Sequence, residues 1–188
     1  PGEKEYEGKG VFYCSTCDAP LMKNKKVAVV GGGNSGLEAA IDLLPYASEI
    51  YILQRSNQLK GDVIYQEKLK AEPKVKILFQ SLTKEIFGAD FVSGIKYTDA
   101  ETNEEKILNV EGIFVAIGYT PNTAIIKDLV RLDDNGHIIV DHKTLQTSMP
   151  GIWAAGDATD GLYNQFNTAM GDAINATLNI YDSLKSGI

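Results

Sequence analysis

The chain has 188 residues, of which 44% are hydrophobic and 23% are charged, and its formal net charge at pH 7 is −7. These proportions are typical of a globular protein, and the length suffices for one domain or for one domain with part of another. The acidic balance argues against a nucleic-acid-binding surface, which needs clustered Lys and Arg. No run of about 18 apolar residues predicts a membrane span.

The first half predicts alternating strands and helices. A short apolar run is typical of a strand buried in a parallel sheet, and apolar residues at helical spacing follow it. The alternation predicts an α/β fold with a doubly wound, Rossmann-like domain of the nucleotide-binding type. The predicted strands are Val27–Val30, Ile50–Leu53 and Val75–Leu78, and the predicted helices run from Gly36 to Pro45 and over Val63–Lys70.

The second half predicts a different architecture. Alternating polar and apolar residues indicate an antiparallel β-meander, and a long amphipathic stretch near the end indicates a helix. The meander strands are expected at Lys84–Phe87, Val92–Thr98 and Lys106–Val110. Further strands are expected at Ile113–Ile117, His137–Val140 and Gly151–Ala155, and the helix is expected at residues 165–184.

A glycine-rich turn follows the first predicted strand. Gly31, Gly33 and Gly36 fit the pattern G-x-G-x-x-G, with Asn34 and Ser35 between the last two. The first glycine permits a tight turn, the second lets the backbone approach a pyrophosphate, and the third allows close helix–strand packing. The helix N-terminus adds free N–H groups for the phosphates. The turn therefore predicts a dinucleotide site; the alternative is a turn that merely tolerates glycine.

The end of the second predicted strand bears on coenzyme choice. A carboxylate there would bind the ribose 2′-hydroxyl of NAD. Gln54 stands at that position, and Arg55, Ser56 and Lys60 follow. Without a carboxylate, and with two cations that can pair with a 2′-phosphate, the sequence favours NADPH and leaves NADH possible. The alternative is that both cations are ordinary surface residues.

The chain has two cysteines, Cys14 and Cys17, in a C-x-x-C motif. So few cysteines argue against a secreted disulfide scaffold, and with no signal peptide we expect a cytoplasmic protein. A zinc site completed by His137 and His142 is disfavoured, because such sites place their Cys and His pairs close in sequence. We therefore expect no metal and a redox dithiol. Asp18 is a candidate acid/base beside it, or alternatively a simple turn residue.

Four motifs in order resemble low-molecular-weight thioredoxin reductase and the related flavoprotein of alkyl hydroperoxide reductase. They are residues 14–18 (CSTCD), 31–36 (GGGNSG), 114–123 (FVAIGYTPNT) and 151–157 (GIWAAGD). The resemblance implies that Cys17 faces the flavin, that Cys14 attacks the partner's disulfide and that Asp18 is the acid/base. It also implies contacts to the two cofactors. The NADPH contacts are Gly31, Gly33, Asn34, Ser35, Gly36, Arg55, Ser56 and Lys60. The FAD contacts are Gly156, Asp157, Asn164, Gln165 and Phe166, and Gly118 is a further cofactor contact.

The resemblance implies a domain plan as well. Residues 1–11 would end the FAD domain and form the first hinge crossing, residues 12–112 would form the NAD(P)-binding domain, and residues 113–188 would return to the FAD domain. The glycine motif of the FAD domain would precede Pro1, so we expect the 188 residues alone to be an inactive portion. The implied activity is reduction of a disulfide in a thioredoxin-like or peroxiredoxin-system protein. The implied enzyme is a homodimer when full length. The alternatives are an alkyl hydroperoxide reductase flavoprotein fragment and an isolated NAD(P)-binding module.

Overall fold

A computed structural model describes residues 1–187 and shows two compact units, Pro1–Gly118 and a second unit from Tyr119 onward. The predicted division at residues 11 and 112 assigns segments to the two cofactors, and it stays a prediction. Within the described residues, no helix is long and apolar enough to cross a membrane.

The first unit contains a five-stranded, wholly parallel sheet, in the order β1 (Val11–Phe12), β8 (Gly112–Val115), β2 (Lys26–Val30), β3 (Glu49–Leu53) and β4 (Val75–Leu78). The strand predictions at 27–30, 50–53 and 75–78 and the helix prediction at 63–70 are confirmed. The elements of this unit are β1 (Val11–Phe12), α1 (Ser15–Asp18), β2 (Lys26–Val30), α2 (Asn34–Leu43), β3 (Glu49–Leu53), α3 (Val63–Lys70), β4 (Val75–Leu78), β5 (Ser81–Gly88), β6 (Val92–Asp99), β7 (Glu105–Leu108) and β8 (Gly112–Val115), with a 3₁₀ turn at Ala19–Met22.

The two faces of the parallel sheet are covered differently. Helices α2 and α3 cover one face, where Leu37, Leu43 and Leu69 pack against β2 and β3. The other face packs against the antiparallel sheet β5-β6-β7, through residues such as Ile86 and Ile95. The fold is therefore α/β with a parallel and an antiparallel sheet. Helices on both faces, as "doubly wound" implies, are not what this unit shows.

The antiparallel meander is confirmed, with β6 paired to β5 on one side and β7 on the other. Its last strand ends at Leu108, two residues before the predicted end at Val110. Helix α2 begins at Asn34, inside the glycine motif, because Gly33 serves as its N-cap.

The second unit packs α4 (Phe166–Ser186) and a 3₁₀ turn (Gly156–Ala158) around a small core that includes Ile138, Val140 and Leu145. The predicted strands at 137–140 and 151–155 are wrong, because these segments form only isolated bridges. In the segment 137–140, two backbone N–H groups donate to carboxylates: that of His137 to Asp133 Oδ1 at 2.8 Å, and that of Val140 to Asp160 Oδ1 at 3.2 Å. Such side-chain bonds compete with strand pairing.

Candidate functional site

Cys14 and Cys17 are joined by a disulfide with a Cα–Cα distance of 5.3 Å, and the bond spans α1. Cys14 is the N-cap of this short helix, and its Sγ accepts a hydrogen bond from the backbone N–H of Cys17 at 3.2 Å. Cys17 is exposed and Cys14 is half-buried. The disulfide is therefore accessible.

A hydrogen bond and buried side chains hold α1, which carries the disulfide, in place. Ser15 Oγ donates to Asp42 Oδ2 of α2 at 2.7 Å, which ties α1 to the longer helix. The following 3₁₀ turn buries Ala19 and Met22 in the core. Met22 also lies so close to Gly112 that a Cβ there would stand 2.3 Å from its sulfur. Packing of this kind fixes the position of α1 relative to the parallel sheet.

Two titratable groups flank the cysteines. Partial burial raises the pKa of the Asp18 carboxyl. Partial burial, followed by a 3.0 Å hydrogen bond to Glu3, raises the pKa of Tyr13 to about 12. Tyr13 therefore stays protonated near neutral pH. Sequence reasoning missed Tyr13, since only the fold brings Glu3 to it.

The three glycines of the turn have separate structural reasons. Gly31 has φ +123°, and a Cβ there would lie 2.2 Å from the carbonyl oxygen of Ala116. A Cβ on Gly36 would lie 2.1 Å from the carbonyl oxygen of Gly31, so this glycine allows the helix to approach the turn. Gly33 has no atom within 4 Å of such a Cβ. Its backbone faces open space, where a ligand can approach closely.

A cleft of about 610 Å³ lies at the carboxyl ends of the parallel strands, and we call it the glycine-turn cleft. Seven of the predicted nucleotide residues line it, whereas Gly36 packs inside the unit and Ser56 is not among its walls. Gln54, Ser81 and Thr83 also line it; the latter two carry no sequence signal, since only the fold brings β5 to this edge. The seven are Gly31, Gly33, Asn34, Ser35, Arg55, Lys60 and Gly118.

The loop after β3 folds across the glycine turn. Its backbone N–H groups at Lys60 and Asp62 donate to Gly32 O and Asn34 Oδ1, both at 2.7 Å. The side chains of Arg55 and Lys60 are exposed, and neither has an ion-pair partner among residues 1–187. Two cations without an ion-pair partner among the described residues therefore line the cleft, although the net charge of the chain is −7.

The residues predicted to contact a flavin lie in the second unit. Gly156 has φ +74°, and a Cβ there would lie 3.1 Å from Cβ of Ala169 on α4. The 3₁₀ turn with the exposed Asp157 thus packs against the start of α4. Asn164 Nδ2 donates to the hydroxyl of Tyr119, Gln165 is the N-cap of α4, and Phe166, the first residue of α4, is 78% exposed.

The histidines have local partners in the same unit. His137 Nδ1 lies 3.2 Å from Asp133 Oδ2, and His142 Nε2 lies 3.6 Å from Asp160 Oδ1. Across residues 1–187, no group of three or more His, Cys, Asp or Glu side chains is placed to hold a metal ion.

Comparison with known proteins adds a family match. A family model described as pyridine nucleotide-disulphide oxidoreductase matches residues 1–173. The chain is 46% identical over 185 residues to the F subunit of alkyl hydroperoxide reductase from Pseudomonas putida, a match that covers 98% of this chain and 35% of that protein. It is 47% identical over 184 residues to NADH dehydrogenase of Bacillus subtilis, which covers 98% and 36%. The chain therefore spans about a third of the length of these relatives.

Solved structures give a similar result. The thioredoxin reductase of Streptococcus pyogenes MGAS5005 matches with a TM-score of 0.91 and 37% identity, over 99% of this chain and 61% of that one. The thioredoxin reductase of Giardia duodenalis matches with a TM-score of 0.84 and 33% identity, over 98% of this chain and 60% of that one.

Proposed function

Since this chain belongs to the pyridine nucleotide-disulphide oxidoreductase family, we propose that it serves an enzyme that uses NAD(P)H and FAD to reduce a protein disulfide. The observation that carries the proposal is an accessible Cys14–Cys17 disulfide in the same compact unit as the glycine-turn cleft. When bound, the nicotinamide supplies a hydride and the flavin passes the electron pair to the disulfide.

The glycine-turn cleft fits a dinucleotide. Gly33 leaves open space beside the backbone, and the N-terminus of α2 begins directly after it. Free N–H groups of the first helical turn bind phosphate oxygens, and the helix dipole favours their negative charge. Arg55 and Lys60, both without described partners, add positive charge at the same cleft.

The second unit fits one part of a flavin site. Asp157 offers an exposed carboxylate that accepts hydrogen bonds from hydroxyl groups, and Phe166 offers an exposed aromatic ring. We assign Gly156–Asp157 and residues 164–166 to the flavin, and with them residues 1–11 and 113–188 to a flavin domain. Residues 12–112 are assigned to the NAD(P)-binding domain.

The chemistry of the reduced cysteines follows from their positions. The Cys14 thiolate attacks one sulfur of the partner's disulfide, a mixed disulfide forms, and the partner's other sulfur leaves as a thiolate. Cys17 then attacks Cys14, which restores the Cys14–Cys17 bond and releases the second partner thiolate. The hydrogen bond from the Cys17 N–H to Cys14 Sγ supports this order, because it stabilises a thiolate on Cys14. Asp18 exchanges protons with the thiols.

The names of the similar proteins indicate two partner classes. Thioredoxin reductases and the F subunits of alkyl hydroperoxide reductases are both similar to this chain. We propose a thioredoxin-like protein or a disulfide of a peroxiredoxin system as the substrate, and a homodimer for the full enzyme.

Trapping of the mixed disulfide tests this proposal. In Cys17→Ser, the remaining Cys14 should form a stable mixed disulfide with an oxidised thioredoxin-type protein, because no second cysteine resolves it. Cys14→Ser, the matched control, should form the adduct more slowly. Intact mass spectrometry measures both rates, and equal rates or a faster Cys17 would contradict the assigned order.

A further inference from the structure

Both cysteines belong to one short turn, residues 14–17, which we call the cysteine turn. Helix α1 has only 4 residues, with Cys14 as its N-cap, and a helix this short has no stability of its own. While the Cys14–Cys17 bond is closed, it fixes the cysteine turn covalently. After reduction, non-covalent contacts alone hold the two sulfurs near each other. These contacts then decide how readily the bond closes again.

The side chain of Ser15 supplies one such contact from inside the disulfide ring. Its Oγ donates to Asp42 Oδ2 at 2.7 Å, a length typical of a hydroxyl bonded to an ionised carboxylate. Both side chains are half-buried, so water competes for the bond less than it would at the surface. Thr16, the other residue between the cysteines, is exposed. Ser15 therefore ties the cysteine turn to α2.

The position of Asp42 is not explained by the stability of its own helix. It lies in the last turn of α2, where the helix dipole disfavours a negative charge. Among residues 1–187, it forms no ion pair with Lys, Arg or His. Its hydrogen-bond partner is Ser15. The carboxylate is therefore unfavourable for the helix, and the bond to the cysteine turn offsets that effect.

The Ser15–Asp42 bond and the disulfide fix the same turn, so each supports the other. With the disulfide closed, Ser15 is already in place, and its bond to Asp42 forms with little further loss of entropy. With the Ser15–Asp42 bond formed, the cysteines of the reduced turn stay close, which raises their effective concentration. Such coupling is reciprocal, so loss of the Ser15–Asp42 bond must weaken the disulfide.

We propose that Asp42, acting through Ser15, is a positioning residue for the redox step. It holds the reduced cysteines in the geometry in which their disulfide closes, and it thereby makes the disulfide harder to reduce. The proposal rests on the proposed function, in which Cys17 must reach the sulfur of Cys14 to release the partner.

Equilibration with a dithiothreitol redox buffer tests the proposal without any nicotinamide. Two electrons and two protons pass from reduced dithiothreitol to the disulfide, which yields two thiols and cyclic oxidised dithiothreitol. The flavin-loaded full enzyme is equilibrated anaerobically at several buffer ratios, quenched with acid and alkylated. Mass spectrometry of the tryptic peptide of residues 10–23, which contains both cysteines, gives the reduced fraction.

Ser15→Ala and Asp42→Ala should each raise the equilibrium constant for reduction about three- to tenfold. The change is smaller than the full strength of a charge-assisted bond, because only part of that free energy differs between the two redox states. The double variant should raise the constant no more than either single variant, because the same bond is lost in all three. Additive effects would overturn the proposal.

Two conservative variants separate the bond from the charge. Ser15→Thr keeps the hydroxyl, and Asp42→Asn keeps an acceptor oxygen without the negative charge. Both should lie closer to the wild type than the alanine variants do. An effect of Asp42→Asn as large as that of Asp42→Ala would assign the shift to the charge and would overturn the proposal.

Thr16→Ala and Glu38→Ala, exposed changes in the cysteine turn and on α2, are the controls and should leave the constant within about twofold of the wild type. If Asp42→Ala fails to fold, the comparison of Ser15→Ala with Ser15→Thr decides the matter. An unchanged constant in Ser15→Ala would overturn the proposal and leave the proposed function standing. The proposed function fails separately, if NADH leaves the wild-type disulfide intact.

Discussion

Asp18 combines two features that ordinary turn residues lack. It directly follows Cys17, and burial raises the pKa of its carboxyl. A raised pKa means that folding disfavours the ionised form, because desolvation penalises the charge. The residue is therefore held in a state that costs stability near neutral pH, which is typical of groups kept for proton transfer.

The substitution Asp18→Asn should change the rate of disulfide exchange and the stability of the fold in different ways. Removal of the proton-exchanging group should slow disulfide exchange by the reduced protein about 10- to 100-fold near pH 7 and flatten its pH profile. The free energy of unfolding should not fall with the rate. An acid whose folded pKa is raised binds more protons folded than unfolded, so wild-type stability falls as pH rises from the unfolded pKa through the folded pKa.

Asp18→Asn should therefore remove this fall and be no less stable than the wild type above that window. Stopped-flow exchange with a chromogenic disulfide and urea unfolding at several pH values check the two effects. A variant that loses stability at pH 7 and keeps its exchange rate would make Asp18 a structural turn residue instead.

At the scale of elements, the glycine turn offers a matched pair of substitutions. Gly33→Ala places a methyl group in open space, at φ −88°, which alanine adopts without strain. Its free energy of unfolding should stay within about 1 kcal/mol of the wild type. Binding of ADP-ribose should nevertheless weaken by about 1–3 kcal/mol, because the methyl group occupies the approach of the pyrophosphate.

Gly36→Ala should instead lower the stability of the fold. Its Cβ would meet the carbonyl oxygen of Gly31, so the helix and the turn must separate, and about 1–3 kcal/mol of folding free energy should be lost. Chemical denaturation and calorimetry compare the two variants. Normal nucleotide binding by Gly33→Ala, or wild-type stability of Gly36→Ala, would contradict the roles assigned to these two glycines.

The elements also show where sequence patterns suffice. Val27–Val30 and Ile50–Leu53 are apolar runs of four residues bounded by turn residues, and both are strands, as their short length and β-branched content favour. The same reasoning fails at His137–Val140 and Gly151–Ala155. At His137–Val140, backbone N–H groups donate to the carboxylates of Asp133 and Asp160. Gly151–Ala155 meets residues 145–149 through one isolated bridge, between Gln146 and Trp153, and no local pattern in the sequence predicts either arrangement.

At the scale of the whole molecule, both chemical features of the first unit could be located from the sequence, since C-x-x-C and G-x-G-x-x-G are defined by spacing. The other walls of the cleft could not. Ser81 and Thr83 line it because the fold brings β5 to the carboxyl ends of the parallel strands, and the loop after β3 is held across the glycine turn by bonds to Gly32 and Asn34. Such contacts are set by tertiary structure.

The proposed function requires that electrons from a pyridine nucleotide reach Cys14 and Cys17. It is tested by counting thiols in the flavin-loaded full enzyme after anaerobic addition of one equivalent of NADH, with iodoacetamide labelling and mass spectrometry. We expect one label on each of Cys14 and Cys17, and none on either cysteine without NADH. Oxidation of NADH with the Cys14–Cys17 bond left intact would contradict the proposed transfer.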